Sequence, residues 1–388
     1  LKQREAHRRH VRMMILVAAS VAGMAITSTL ATAAWFARNE AERQRVRAEA
    51  EAETARQTTR FMVDLFKVSD PSESLGNTIT AREILDKGAS RIEKELVDQP
   101  AIQATLMDTM GTVYTSLGLY ESAVSLVRQG YDKRLQLWGN EHPEVASSLN
   151  HLGEVLRLKS EYAEAEARLR EALQIRRKTF GDSSAEVADT ISSLVETLWE
   201  KGEYAQAEPL IREALRIRHS LYGTVHADIA RSLEDLGLNY FQQGKYEEAV
   251  SFLREAVAMR RQVHGTIHPA LAQAIGNLSW ALFNLGKNDE AEPLVRLSLS
   301  MNRQLYGDTH PETAASLNNL GFVTEALGDL AEAERSYREA LAVNRKLLGE
   351  AHPMIAVNLS NLAFVEYALG RRDEGIDLLR QSIEMSRR

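Results

Sequence analysis

The 388-residue chain is rich in Ala, Leu, Glu and Arg, with 8 Pro and 6% aromatic residues, a profile that favours helices and leaves few strand-forming stretches. A net charge of -7, with only one plainly basic end, argues against a phosphate-backbone footprint, so no nucleic-acid partner is expected. The absence of Cys excludes a disulfide framework, a thiolate metal site and a Cys nucleophile.

Residues 1–12, LKQREAHRRHVR, form a basic segment with Lys2, Arg4, Arg8, Arg9 and Arg12 against one Glu. Met13 to Ala37 carries no charge; its 25 residues would make a helix of roughly 37 Å, enough to span a bilayer. A transmembrane helix is therefore expected over 13–37, with Trp35 and Phe36 as an interfacial anchor and the basic side cytoplasmic. The competing reading is a cleaved signal peptide with Ala31-Thr32-Ala33 at its end. Against it stand the length of the run and a start at Leu1 rather than Met, which suggests more chain upstream. Residues 38–68 read as a helical stalk, with Arg45 and Glu49, and Arg47 and Glu51, spaced as i,i+4 pairs. Turn chemistry in SDPSESLGNT makes 69–80 a linker. Thr80 with Glu83 is a capping box that opens a capping helix over 81–96.

From residue 97 to 388 the chain repeats. Gly recurs at 139, 181, 223, 265, 307 and 349, each step 42 residues, in phrases such as GNEHPEVA and GDTHPETA. Ala follows seven residues later (Ala146 to Ala356) and Leu thirteen later (Leu152 to Leu362). Ala104, Gly111, Gly118, Tyr120, Ala123 and Trp138 fit the same register one period earlier, which gives seven repeats. A unit of this size cannot bury its apolar face alone and must stack on its neighbours.

Within a repeat, Leu233-x2-Leu236-Gly237-x2-Tyr240 followed by Ala249-x3-Leu253 and Ala256 resembles the tetratricopeptide (TPR) pattern. The Gly-x-x-His-Pro start and Asn318-Asn319-Leu320 resemble the 42-residue repeats of kinesin light chains. The resemblance implies an all-α fold: a right-handed TPR superhelix, an α-solenoid of antiparallel helix pairs, preceded by the transmembrane helix and stalk. Helix A of each pair would start at the His-Pro and line a concave groove, helix B at the following Gly-x-Tyr turn. Counting from the repeat Gly, positions 11, 15 and 18 would face that groove. There stand Asn150 and Asn318, with Asn319 beside it, and the aromatics Trp280, Phe322, Phe364, Phe241 and Phe283. Asn can bond a peptide backbone and aromatics can anchor side chains, so a protein or peptide ligand is the expected partner. The competing fate for the aromatics is inter-repeat core.

The His column (His142, His226, His268, His310, His352) invites a metal or acid–base reading, but residues one repeat apart do not converge, and Ser184 interrupts the series. The His before Pro reads instead as a helix-start residue. No phosphate-binding loop, nucleophile elbow or His-Glu-x-x-His occurs. No catalytic residue, metal or cofactor is therefore expected in this chain.

The segment Phe61 to Leu96, placed between a span and 42-residue repeats, resembles the C-terminal half of bacterial eukaryotic-like serine/threonine protein kinases. That resemblance implies an inner-membrane protein with its N-terminal side cytoplasmic and its TPR array extracytoplasmic. The array would be the regulatory part of a kinase whose catalytic domain lies upstream, and ATP and Mg would enter only with that domain. The alternative is a membrane-tethered scaffold with no kinase in cis.

Overall fold

The computed structural model describes residues 80–350 and 352–387 without a break, and a scatter of residues between 13 and 61. The expected span 13–37 and linker 69–80 lie almost wholly outside the described residues. So does most of the stalk, where the described Arg45 pairs with Glu42 at 3.1 Å. Among the described residues every regular element is helical, and no helix is long and apolar enough to cross a membrane.

The chain divides into two compact units at Tyr114. In the first, α1 (Ala81–Glu95) opens on the expected capping box: the Glu83 amide donates to Thr80 Oγ1 at 3.2 Å, and the Thr80 amide to Glu83 Oε2 at 2.8 Å. It is tied to α2 (Pro100–Ser116) where Gln103 donates to the Ile92 carbonyl at 2.9 Å and the Tyr114 hydroxyl to Asp86 at 2.6 Å.

The second unit begins with α3 (Tyr120–Trp138) and continues as helix pairs. These are α4 (Pro143–Leu158) with α5 (Tyr162–Phe180), α6 (Ala185–Glu200) with α7 (Tyr204–Tyr222), and α8 (Ala227–Gln242) with α9 (Tyr246–His264). They continue with α10 (Pro269–Asn284) and α11 (Asn288–Tyr306), α12 (Pro311–Ala326) and α13 (Leu330–Leu348), and α14 (Pro353–Ala368) and α15 (Arg372–Ser386). The first member of each pair, helix A, has 16 residues, while helix B reaches 19, as in α13, so the period lies mostly in helix.

Two kinds of joint set the pairing. Within a pair, Gly328 takes φ 84° while the Asp329 amide donates back to the Thr324 carbonyl at 2.9 Å, a left-handed stop to helix A. At the same place between α4 and α5 stands Ser160, at φ 69° the one non-Gly residue with positive φ among those described. Its Cβ is strained there, so Ser160→Gly should raise stability by about 0.5–1 kcal/mol even after the extra chain entropy of Gly. An unchanged denaturant midpoint would show that no such strain exists. Packing within a pair is close: a Cβ on Gly321 would lie 2.4 Å from the Tyr337 ring.

Consecutive A helices touch (α4 with α6, α8 with α10, α10 with α12), whereas no two B helices approach as closely. The second unit therefore curves with its A helices inside. On the outer side, exposed ion pairs link successive B helices, such as Arg128 with Glu164 at 3.0 Å and Arg338 with Glu374 at 3.2 Å.

Candidate functional site

The helix-start histidines occupy separate joints. In His142, His226, His268, His310 and His352, Nδ1 accepts the backbone N–H two residues on, at 3.1–3.2 Å. Four of the rings stack on the end of the preceding B helix: Trp138, Tyr222, His264 and Tyr306, at 4.8, 4.0, 3.8 and 4.2 Å. Ser184 caps in their place through Oγ, at 3.3 Å from the Val187 amide. Among the described residues no three acidic or imidazole groups converge as metal ligands. We expect His310→Ala to cost about 1 kcal/mol and His310→Asn, which keeps an acceptor, much less. Equal losses in urea denaturation would mean that stacking, and not capping, is what the ring contributes.

The inner face is where A helices meet. Its register follows from side chains that reach from one A helix to the next. Ser193 donates to Glu154 at 2.8 Å, Arg157 pairs with Glu196 at 3.0 Å, and Asn361 donates to Asn318 at 2.9 Å. In α4, α6 and α8 these positions carry charge, and Arg231 also reaches Glu196 at 3.6 Å. In α10, α12 and α14 the corresponding positions hold Gln273, Gly276, Asn277 and Trp280, then Ala315, Asn318, Asn319 and Phe322, then Val357, Ser360, Asn361 and Phe364. None of these is charged, although the position of Arg157 holds Glu325 on α12, which accepts from the Tyr337 hydroxyl at 3.0 Å.

A second column changes at the same place. Buried or half-buried B-helix side chains reach the next A helix 14 residues on: Arg134 to Ser148 and Arg176 to Thr190, both at 2.6 Å, and Arg218 to Ser232 at 2.7 Å. Arg260 turns instead to Glu234, at 2.6 Å. Beyond it the column holds Asn302, which donates to Ser316 at 2.9 Å, and Asn344, which donates to Asn358 at 2.7 Å. Burial pushes the Arg176 pKa down, against the pull of Asp189, Glu186 and Glu154.

Where the Asn half begins, a cavity of about 280 Å³ opens between α10, α11 and α12. Gln273, Gly276, Asn277, Trp280, Asn302 and Asn319 are among its lining residues. The amides of Asn277 and Asn319 make no side-chain hydrogen bond among the described residues. Trp280 stacks on Phe283 at 5.0 Å, and Phe322 meets both at 5.4 and 6.1 Å, so an aromatic cluster closes one side.

The tetratricopeptide repeat profile matches 103–178, 144–218, 186–262, 228–300, 270–346 and 312–388, which together cover most of the chain. The chain belongs to the TPR family. A search of curated protein sequences returned no match. Among solved structures the chain is similar to BtubC (BKLC) from P. vanneervenii, 22% identical, over 59% of this chain and 90% of that one, with a TM-score of 0.51. A Rap protein complexed with competence and sporulation factor is 16% identical over 85% of each chain, with a TM-score of 0.55. Aspartyl phosphate phosphatase F from Bacillus subtilis is 13% identical over 84% of this chain and 80% of that one, with a TM-score of 0.57. At these identities the likeness is one of fold.

The TPR array does not treat the expected groove residues alike. Trp280 and Asn319 line the cavity, and Phe283 and Phe322 join its aromatic wall. Phe322 also packs edge-on against the buried Tyr337, at 5.6 Å, and Phe241 and Phe283 pack against the core around Leu278, so these rings belong partly to the inter-repeat core. Phe364 is 61% exposed. Asn318 accepts from Asn361, and Asn150 donates to Glu154 at 2.7 Å, so both serve contacts within the array. Gln273, Gly276 and Asn277 were not foreseen. For Asn277 the signal lay in the register one position further on, where Asn277, Asn319 and Asn361 recur at the 42-residue period.

Proposed function

We propose that the inner face of this TPR array captures an extended peptide segment of a partner protein. The observation that carries the reading is the pair of amides, Asn277 and Asn319, one repeat apart and without side-chain partners, flanking a cavity beside Trp280. An amide offers a donor and an acceptor and so matches a peptide backbone of any sequence, while the cavity and rings supply a place for a side chain. The Rap protein solved with competence and sporulation factor, and a Rap conjugation gene regulator of plasmid pLS20 solved with the Phr* peptide, lend support by analogy of fold.

The test is selection of peptides from a random library on the full chain, followed by titration of the selected sequences. Replacing Asn277 and Asn319 together by Ala should weaken binding at least about tenfold with little change in melting temperature. Failure to select any peptide, or unchanged affinity in the double variant, would sink the reading.

We further propose the setting implied by the sequence: residues 13–37 anchor the array in a bacterial inner membrane, extracytoplasmic, and peptide capture regulates a serine/threonine kinase upstream. The support is the uncharged run, its basic flank and the resemblance of residues 61–96. Protease accessibility of the array in intact spheroplasts tests the placement. A gene that encodes no kinase ahead of Leu1 would leave the tethered scaffold in its place.

A further inference from the structure

The inner face has a second unused group, one repeat before the cavity. Asp235 on α8 holds the register position of Asn277 and Asn319, is half-buried, and makes no hydrogen bond or ion pair among the described residues. Its acidic neighbours are engaged. Glu234 is held by Arg260 at 2.6 Å, Asp189 by Arg218 at 3.2 Å, and Glu196 by Arg157 at 3.0 Å. Glu154 accepts from Asn150 and Ser193, at 2.7 and 2.8 Å. The acids nearest Asp235 on α4, α6 and α8 are thus held by direct partners and Asp235 is not, while the cavity beyond carries one further acid, Glu312 at the start of α12.

We propose that Asp235 receives a basic side chain, Lys or Arg, of the captured peptide, whose neighbouring uncharged residues lie over Asn277, Asn319 and Trp280. This rests on the peptide-capture reading and gives it a specificity. Neighbouring helix axes are about 10 Å apart, and an extended peptide advances about 3.3 Å per residue. The basic residue therefore stands about three residues from the apolar one that enters the cavity. An anionic side chain would meet Asp235 and, beyond it, no cation on α10 or α12 at the inner-face positions.

Burial pushes the Asp235 pKa up to about 7; Arg231 and Arg218 pull the other way, and Glu234 and Glu196 add to the rise. A carboxyl whose pKa is raised on folding opposes folding once ionised, so its unfavourable effect grows as pH rises between the unfolded value near 4 and about 7. A cation at Asp235 favours the ionised form, so basic peptides should bind more tightly as pH rises through about 7.

The experiment uses the full chain and peptides selected from a library whose members are all N-acetylated and C-amidated. The selected sequences should carry Lys or Arg about three positions from an apolar residue. Changing that Lys or Arg to Gln, or the protein by Asp235→Asn, should each weaken binding about tenfold, and the two changes together no further. The wild type should lose about tenfold in affinity between pH 8 and pH 6, and Asp235→Asn should not. Asp235→Asn should also melt higher than the wild type at pH 8, so weaker binding cannot be put down to misfolding. Peptides that bind without a basic residue, indifferent to Asp235→Asn, would overturn this inference and leave peptide capture standing. No bound peptide, whether acetylated or with a free N-terminus, would remove both. Recovery of binding only with a free N-terminus would assign Asp235 to an α-ammonium and overturn the side-chain form.

Discussion

Replacing Arg218 by Ala is expected to lower the stability of the array by about 3 kcal/mol. The guanidinium is 1% exposed and donates to Ser232 at 2.7 Å, Ser192 at 3.0 Å and Asp189 at 3.2 Å, across three successive helices α6, α7 and α8. Truncation leaves buried hydroxyls without a donor and opens a void in the joint. Asp189, being exposed, can turn to water, which keeps the loss near the lower end for a broken buried pair. Arg218→Met, which fills the volume, should lose less. The measurement is amide hydrogen exchange along α6 to α8, with denaturant melts beside it. A loss below about 1 kcal/mol would mean that the buried network contributes little beyond its packing.

Trp280→Ala is the largest effect expected on binding: at least about 2 kcal/mol, or roughly thirtyfold in affinity for a selected peptide. The ring is half-buried, stacks on Phe283 and walls the cavity, so its removal takes away contact surface and the rigid side of the site together. Some stability should go as well, because Phe322 loses a neighbour at 5.4 Å. The readout is the ratio of the two losses. If melting suffers as much as binding, Trp280 is core and the peptide lies elsewhere on the inner face.

The fold was legible because its period is invariant. Gly307, Pro311 and Ala314 mark a joint wherever they recur, and the 42-residue step places every helix in phase with its neighbours. The site was less legible for a geometric reason. A helix advances about 100° per residue, so an error of one position turns an inner-face reading toward the flank. Asn318 and Asn319 show it: the first is used between repeats, the second lines the cavity. Aromatics such as Phe241 and Phe322 serve core and face at once, which residue type alone does not reveal. The importance of Asp235 lay in what fails to reach it, and that depends on where Arg218 and Arg260 point.

Helices of the second unit touch chiefly the helix before and the helix after them; next-but-one packing is closest on the A side, and the B side adds exposed ion pairs. Contacts this local in sequence favour fast folding that can start at several places along the array, and they let the free end fray before the middle. A peptide lying across several A helices would join segments that otherwise open independently. Its binding should therefore sharpen the melting transition as well as raise its midpoint, so that the array gains cooperativity from its ligand.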